Sequence, residues 1–262
     1  MNMNLSLREK VLKEIIHTEE TYLKHLEILD KYFAKPCLEK ELISLQTHTF
    51  IFGELDALRH INEELYRQLN ANDSNVGQAF LHMAPFLKVY ASYANNFQHA
   101  LEVLQVNENK NETFKSWLSI TESRPEVQTK VASLLITPVQ RVPRYRLLLE
   151  ELLRHTSSDH PHYTSITNAL GKVSLTAELI NAKVREGDGL QRLLMVQRAL
   201  KNGRPNIVAP GRKLIKEGIV NKVSRKGKGS QPRLFFLLTD MLVYTKPPMA
   251  NMSPKETLPD RF

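Results

Sequence analysis

Two prolines five residues apart, set inside an otherwise helical leucine-rich run, constrain this chain more than any other feature. The run reads Leu134-Leu135-Ile136-Thr137-Pro138-Val139-Gln140-Arg141-Val142-Pro143-Arg144-Tyr145-Arg146-Leu147-Leu148-Leu149. Each proline removes a backbone donor and crowds the turn before it, so an ordinary core helix does not carry both. A plain loop does not hold so many apolar residues in tight register. The run therefore reads as a helix entry that is kinked or offset and then continues through Leu147, Leu148, Leu152 and Leu153. Arg141, Arg144 and Arg146 are left to cover the polar side.

The rest of the first 200 residues has helical periodicity. Leu12, Ile15, Ile16, Tyr22, Leu23, Leu26, Leu29 and Phe33 predict a long amphipathic helix over residues 5–33, ended by Pro36. A second helical pattern spans Phe50 to Leu69, and Asn70 to Gly77 is a turn cluster. Further helices are predicted at about 78–106, 111–122 and, around the proline run, 126–155. The last, from about 162 to 200, offers Ile166, Ala169, Leu170, Val173, Leu179, Ile180, Val184, Leu190, Leu193, Leu194 and Val196 as buried positions. Gly187-Asp188-Gly189 is its weak point, where a kink or brief break is expected.

After Asn202-Gly203-Arg204-Pro205 the pattern changes. Leu214 to Val220, Arg233 to Leu238 and Met241 to Tyr244 read as three strands, with Thr239-Asp240 as a tight turn and Ser224 to Pro232 as a mobile hairpin loop. Three strands do not close a barrel and leave an unpaired edge. The sequence as given is therefore expected to be truncated or to have a partly ordered tail.

Charge separates the same two parts. Of 36 Lys and Arg and 28 Asp and Glu, residues 201–262 carry 13 and 4, which leaves 23 and 24 for residues 1–200. A near-neutral helical body is a poor nucleic-acid binder, and the basic tail suits an acidic membrane surface. The single cysteine, Cys37, excludes an intrachain disulfide and reads as a half-buried free thiol in a reducing compartment. No run approaches the ~18 apolar residues of a membrane span. Met1 to Lys10 lacks the apolar core of a signal peptide. A cytoplasmic chain, able to be recruited to the plasma membrane, is expected.

Enzyme motifs are missing. There is no Gly-rich phosphate loop, H-E-x-x-H, C-x-x-C or nucleophile elbow. His160-Pro161-His162 has no third ligand in view and reads as a surface loop. Neither covalent catalysis nor a cofactor nor a metal is expected.

The proline run closely resembles the third conserved region of the Dbl-homology domain, the catalytic unit of Rho-family guanine-nucleotide exchange factors. Val11-Leu12-Lys13-Glu14-Ile15-Ile16-His17-Thr18-Glu19-Glu20-Thr21-Tyr22 resembles that family's opening helix, with its E-[IL]-x-x-T-E-x-x-Y pattern. Ile51-Phe52-Gly53-Glu54-Leu55 followed by Ile61-Asn62 resembles its second region. The three strands resemble the opening of a pleckstrin-homology domain. The closing-helix tryptophan of that family is absent, since the only tryptophan, Trp117, lies in the helical body. The resemblance implies a mainly α chain: an elongated Dbl-homology helical bundle at 5–200, a linker at 201–212 and a β-rich incomplete pleckstrin-homology segment at 213–262.

The implied function is nucleotide exchange on a Rho-family GTPase, by binding switch I and switch II. Glu14 matches the switch-I carboxylate and, off the apolar stripe, is expected to face outward with Thr18 and Thr21. Thr18 is counted with it as a contact residue. Arg144 matches the basic switch-II contact, often Lys in the family, and Asn181 the amide contact of the last helix. Gln140 and Arg141 support the motif from inside. Tyr22 and Tyr145 read as core aromatics with satisfied hydroxyls. Ile136 matches a position that reads a variable GTPase side chain, and isoleucine there favours Rac-type partners slightly. In the tail, Lys222, Arg225, Lys226, Lys228 and Arg233 resemble a weak lipid-binding cluster. Gln231 breaks the usual pattern for a specific headgroup, which leaves loose attraction to acidic lipids. Two other classes stay open on the residues alone: an exchange-inactive GTPase-binding scaffold and a membrane-associated helical protein.

Overall fold

The computed structural model describes residues 5–71, 75–199, 206–223 and 230–246. The chain divides into two compact units, Met1–Val184 and Arg185–Phe262. Ten α-helices and three strands are assigned among the described residues.

Helix α1, Leu7–Ile28, starts at a capping box in which the Ser6 hydroxyl accepts from the Glu9 amide and the Glu9 carboxylate accepts from the Ser6 amide. It buries Ile15, Glu19, Tyr22 and Leu26, a stripe spaced by three and four. Pro36 does not end the helical path as the sequence suggested. A π turn at Leu29–Ala34 precedes it, closed by the Lys35 amide on the Asp30 carbonyl, and α2 follows at Lys35–Glu39. The wider turn relieves the clash a proline makes with the carbonyl four residues back. Cys37 is fully buried rather than half-buried, and burial pushes its thiol up to about 11.

The single helix expected from Phe50 to Leu69 is two. Helix α3, Leu45–Phe52, is capped by the Ser44 hydroxyl, and α4, Leu55–Leu69, follows a break at Gly53-Glu54. The expected 78–106 helix is also divided. Helix α5, Val76–Met83, passes through a 3₁₀ turn at Ala84–Leu87 around Pro85 into α6, Lys88–Lys110. Helix α7, Glu112–Glu122, carries Trp117, whose ring meets Phe33 edge-on at 6.3 Å and stacks on Phe114 at 5.8 Å.

In the proline run the offset falls at Ile136, between α8, Val131–Leu135, and α9, Thr137–Arg154. Pro138 occupies the first turn of α9, where a missing donor costs nothing. Pro143 lies inside α9, and the helix persists because Val142, Tyr145, Leu149 and Leu152 are fully buried on its packed face. The Thr137 hydroxyl and the Tyr93 phenol donate to the carbonyls of Leu134 and Leu135 at the end of α8, at 2.7 and 2.6 Å.

Helix α10, Tyr163–Ala199, runs without a break through Gly187-Asp188-Gly189. Leu179 is 48% exposed rather than buried, while the side chain of Leu190 lies outside the described residues. In the second unit, strands β1 (Leu214–Val223), β2 (Ser230–Leu238) and β3 (Leu242–Thr245) form an antiparallel sheet in that order. Ser230 to Pro232, expected in a loop, belong to β2 and pair with Val223 to Asn221. The rest of that loop, Ser224 to Gly229, lies outside the described residues. Phe236 and Leu238 pack with Leu193, Val196 and Ile207 in a small core of the second unit.

Within the first unit α10 approaches α5 closely. A Cβ on Gly77 would stand 2.4 Å from the backbone of Ser165, and the Ser165 hydroxyl bonds the α5 cap residue Asn75 at 2.9 Å. Gly77→Ala is expected to lower stability by about 1–3 kcal/mol through overpacking of backbone that cannot give way. Urea denaturation reads this directly, and an unchanged midpoint would refute the close approach.

Candidate functional site

The first and third motif blocks meet where α1 packs against α9. Beneath the contact lies a buried polar network. Arg141, 4% exposed, donates to the Glu19 carboxylate Oε2 at 2.5 Å, and Glu19 is fully buried. The Arg141 guanidinium lies over the Tyr145 ring at 4.4 Å and the Tyr22 ring at 5.3 Å. The Tyr145 phenolic oxygen is 2.8 Å from both Glu19 Oε2 and Asn62 Oδ1, so its one proton is shared between two acceptors. Asn62 in turn donates to the Tyr90 hydroxyl at 2.6 Å and to the Leu58 carbonyl at 2.5 Å. The network thus joins α1, α9, α4 and α6.

Its electrostatics are finely opposed. Burial pushes the Glu19 carboxyl above the usual carboxylate range, while the Arg141 charge beside it pulls it down. Arg141 stays charged: burial disfavours its charge, but Tyr145 and Glu19 together hold its affinity for the proton above the ordinary value. Satisfaction is incomplete. Glu19 Oε1 and Arg141 Nε have no hydrogen-bond partner. Tyr22 is a core aromatic, as the sequence suggested, but its hydroxyl makes no hydrogen bond of normal length.

Above the network opens a cleft of about 390 Å³. From α1 it takes His17, Thr18, Thr21, Tyr22 and His25, and from α9 Thr137, Gln140, Arg141 and Arg144. The α1 positions 14, 18, 21 and 25 are spaced by four, three and four, which places them along one face. Glu14 and Arg144 stand at the rim with side chains 56% and 55% exposed, 4.0 Å apart. An exposed pair of this kind is worth ~0–1 kcal/mol, so a partner can recruit either group at little expense. Burial and the nearby Arg141 both hold the His25 pKa below its ordinary value.

The structure therefore brings together five of the residues named from the sequence: Glu14, Thr18, Gln140, Arg141 and Arg144. Thr18 does not face solvent beside Glu14 as expected. It is 9% exposed, donates to the Ile15 carbonyl at 3.2 Å and accepts from Arg141 at 3.4 Å. Ile136 adjoins Thr137 of the lining and is half-buried against the core. Asn181 is exposed on α10 and is not part of the cleft lining. In the sheet, Lys222 bonds the Tyr244 hydroxyl and sits 4.0 Å from its ring centre, while Arg233 bonds Gln231 at 2.6 Å and the Pro232 carbonyl at 2.9 Å. Arg225, Lys226 and Lys228 lie outside the described residues.

Sequence reasoning missed Glu19, Asn62 and Tyr90. A signal was present: Glu19 falls on the Ile15–Tyr22–Leu26 stripe, and Asn62 on the Leu58–Leu65–Leu69 stripe, positions where a polar group must find a buried partner. His17 and His25 carry no such signal, and Thr21 is expected only to face outward, because nothing in the run alone says which face of α1 meets α9.

With this geometry in place, the chain can be set beside known proteins. A RhoGEF domain model matches residues 11–181, a span that contains the cleft, its network and Asn181. The chain belongs to the RhoGEF family. The mouse FYVE, RhoGEF and PH domain-containing protein 3 is 31% identical over 262 residues, covering 96% of this chain and 35% of that protein. The Dictyostelium discoideum Guanine exchange factor for Rac 30 is 29% identical over 246 residues, covering 91% of this chain and 14% of that protein. This RhoGEF chain thus spans about a third or less of the length of these relatives. Among solved structures, the DH/PH domains of PDZ-RhoGEF in complex with GTP-gamma-S activated RhoA match with a TM-score of 0.75 and 21% identity, over 92% of this chain and 74% of that one. A share of 92% is too large for the helical body alone, so the shared fold extends into the β segment.

Arg141→Ala leaves a buried carboxylate unpaired and is expected to cost about 3–5 kcal/mol. Arg144→Ala, at the exposed rim, should stay within ~0.5 kcal/mol of the parent. Equilibrium unfolding of the two variants separates them, and equal losses would contradict the assignment of support to one and surface to the other.

Proposed function

We propose that this RhoGEF domain promotes GDP release from a Rho-family GTPase by binding and remodelling its two switch segments. The observation that carries the reading is the α1–α9 cleft, which presents Glu14 and Arg144 4.0 Å apart at its rim above a rigid buried network. Exchange needs no bond made or broken in the protein. The nucleotide and its magnesium hold the switches in order. A surface that prefers the nucleotide-free GTPase must weaken nucleotide affinity by the same factor. Glu14 supplies the carboxylate for switch I, and Arg144 a planar donor fork for switch II. Asn181 adds an amide from α10, Ile136 adds apolar contact, and Gln140, Arg141 and Thr18 support the cleft.

Rac-type GTPases are the first partners to test. Ile136 motivates this, and two similar Dictyostelium discoideum proteins are named for Rac, Guanine exchange factor for Rac 30 and Rac guanine nucleotide exchange factor JJ. The solved complexes of similar fold hold RhoA, so RhoA belongs in the same panel. The excess of 13 basic over 4 acidic residues in 201–262 supports loose, salt-sensitive attraction to acidic lipids and recruitment of a cytoplasmic protein to the plasma membrane.

Release of a fluorescent GDP analogue from a panel of Rho-family GTPases tests the reading. Acceleration on at least one member is expected, and Glu14→Ala should slow it by about ten- to a hundredfold, the loss of roughly 1.5–3 kcal/mol of charge-assisted hydrogen bonding. A folded Glu14→Ala variant with parental rate would sink the assignment of Glu14. Capture of nucleotide-free GTPase without acceleration would replace exchange by scaffolding. Phosphatidylserine vesicles should bind the chain and release it as salt rises from 50 to about 300 mM. Binding that survives removal of residues 201–262 would contradict a role for the tail.

A further inference from the structure

Glu19 sits where an apolar residue would be expected, and no partner can touch it. It is fully buried on the stripe between Ile15 and Tyr22, yet it is a carboxyl group that meets the Arg141 guanidinium. Its pairing is incomplete: Arg141 and Tyr145 both reach Oε2, while Oε1 and the Arg141 Nε have no partner. A buried ion pair of this quality is weak support for stability, because well-packed apolar residues of similar volume serve as well or better. What the pair supplies that apolar side chains cannot is direction. A leucine tolerates small rotations and slides of its helix, whereas a carboxylate–guanidinium contact at 2.5 Å does not.

The direction matters because of where the rim residues stand. Glu14 lies five residues before Glu19 on α1, and Arg144 three residues after Arg141 on α9. At 1.5 Å and 100° per residue, a slip of either helix by one position would turn its rim group roughly 100° away from the cleft. The Glu19 end is fixed from behind as well, through Tyr145 to Asn62 on α4 and on to Tyr90 on α6. Four helices are thus linked, directly or through Tyr145 and Asn62, to one carboxylate that itself never meets solvent.

We infer that Glu19 is a positioning residue for exchange: acting through Arg141, and anchored by Tyr145 and Asn62, it sets the rotation of α1 against α9 that presents Glu14 and Arg144 to the GTPase. The inference rests on the proposed exchange function. Loose docking depends on the exposed rim charges, which are retained when the network is altered. Remodelling of the switches depends on their placement, so the loss falls on kcat more than on KM.

The test compares the parent, Glu14→Ala, Glu19→Gln and the double variant Glu19→Leu/Arg141→Met. The double variant removes both charges and is expected to melt at or above the parent. Its kcat for GDP release should nonetheless fall by roughly tenfold, with KM for the GTPase within about threefold. Glu19→Gln, which keeps Arg141 in place, should lower kcat in the same direction. Deuterium uptake in α1 and α9 should rise in the double variant without a lower melting temperature. A folded double variant, or a folded Glu19→Gln, that keeps kcat within about twofold of the parent would overturn the inference and leave Glu19 as core filling. If the parent accelerates no GTPase, the exchange reading fails by itself. The inference for exchange then falls with it, and the uptake measurement decides only whether Glu19 fixes α1 against α9: parental uptake in both helices overturns that, and a localised rise upholds it.

Discussion

The helical body depends on a carboxylate and a guanidinium that meet at 2.5 Å with almost no surface in water. Every block of the chain that carries a motif sends a group to this contact or to the hydrogen bonds that extend from it. The opening helix sends Glu19, Thr18 and Tyr22, the second block Asn62, and the proline run Arg141 and Tyr145. Desolvating two charges is expensive, and the network does not satisfy all their polar atoms. The helices around it are therefore tied to one mutual orientation by geometry rather than by burial alone. The apolar groups on either side, Ile15, Leu26, Leu58, Leu65 and Leu149, supply the stability that the polar centre does not.

Prolines shape the path of the chain around this centre. Pro138 and Pro143 are both taken into α9, one at its first turn and one inside a face buried by Val142, Tyr145 and Leu149. Pro36 is carried past by a π turn, and Pro85 by a short 3₁₀ turn. In each case the missing donor falls where the helix has already changed pitch or begun afresh, except at Pro143. There tertiary packing overrides the local preference.

Much of this was legible in the sequence, and the gaps have physical causes. Period-three-and-four spacing predicted the helical body and the strand pattern predicted the sheet, because burial is periodic in both. Helix ends differ from the sequence pattern at Pro36, Gly53 and Pro85, where the local residues do not decide between a stop, a change of pitch and a new helix. A π turn or a 3₁₀ turn costs less there than leaving the core open. Periodicity puts Thr18 outside and Leu179 inside, and the structure reverses both, since each lies at the edge of a stripe and only the neighbouring helix decides. Glu14, Gln140, Arg141 and Arg144 were readable at the site because the motif blocks carry them. Glu19 and Asn62 sit on apolar stripes in the same blocks, a pattern that signals a buried polar partner without naming it, since the partner is known only from across the fold. The pairing of Asn62 with Tyr145 spans 83 positions, and no local pattern encodes it.

The burial of Cys37 has a practical consequence. It is the chain's only cysteine, fully buried in α2, with a thiol pushed up to about 11. At neutral pH such a thiol holds almost no thiolate, the form that reacts with labelling reagents. A cysteine introduced at an exposed site, such as Lys24 on α1 or Leu147 on α9, would thus be the one thiol that takes up a fluorophore or spin probe. A pair of such cysteines would make distances across the helical body measurable without first removing the natural residue.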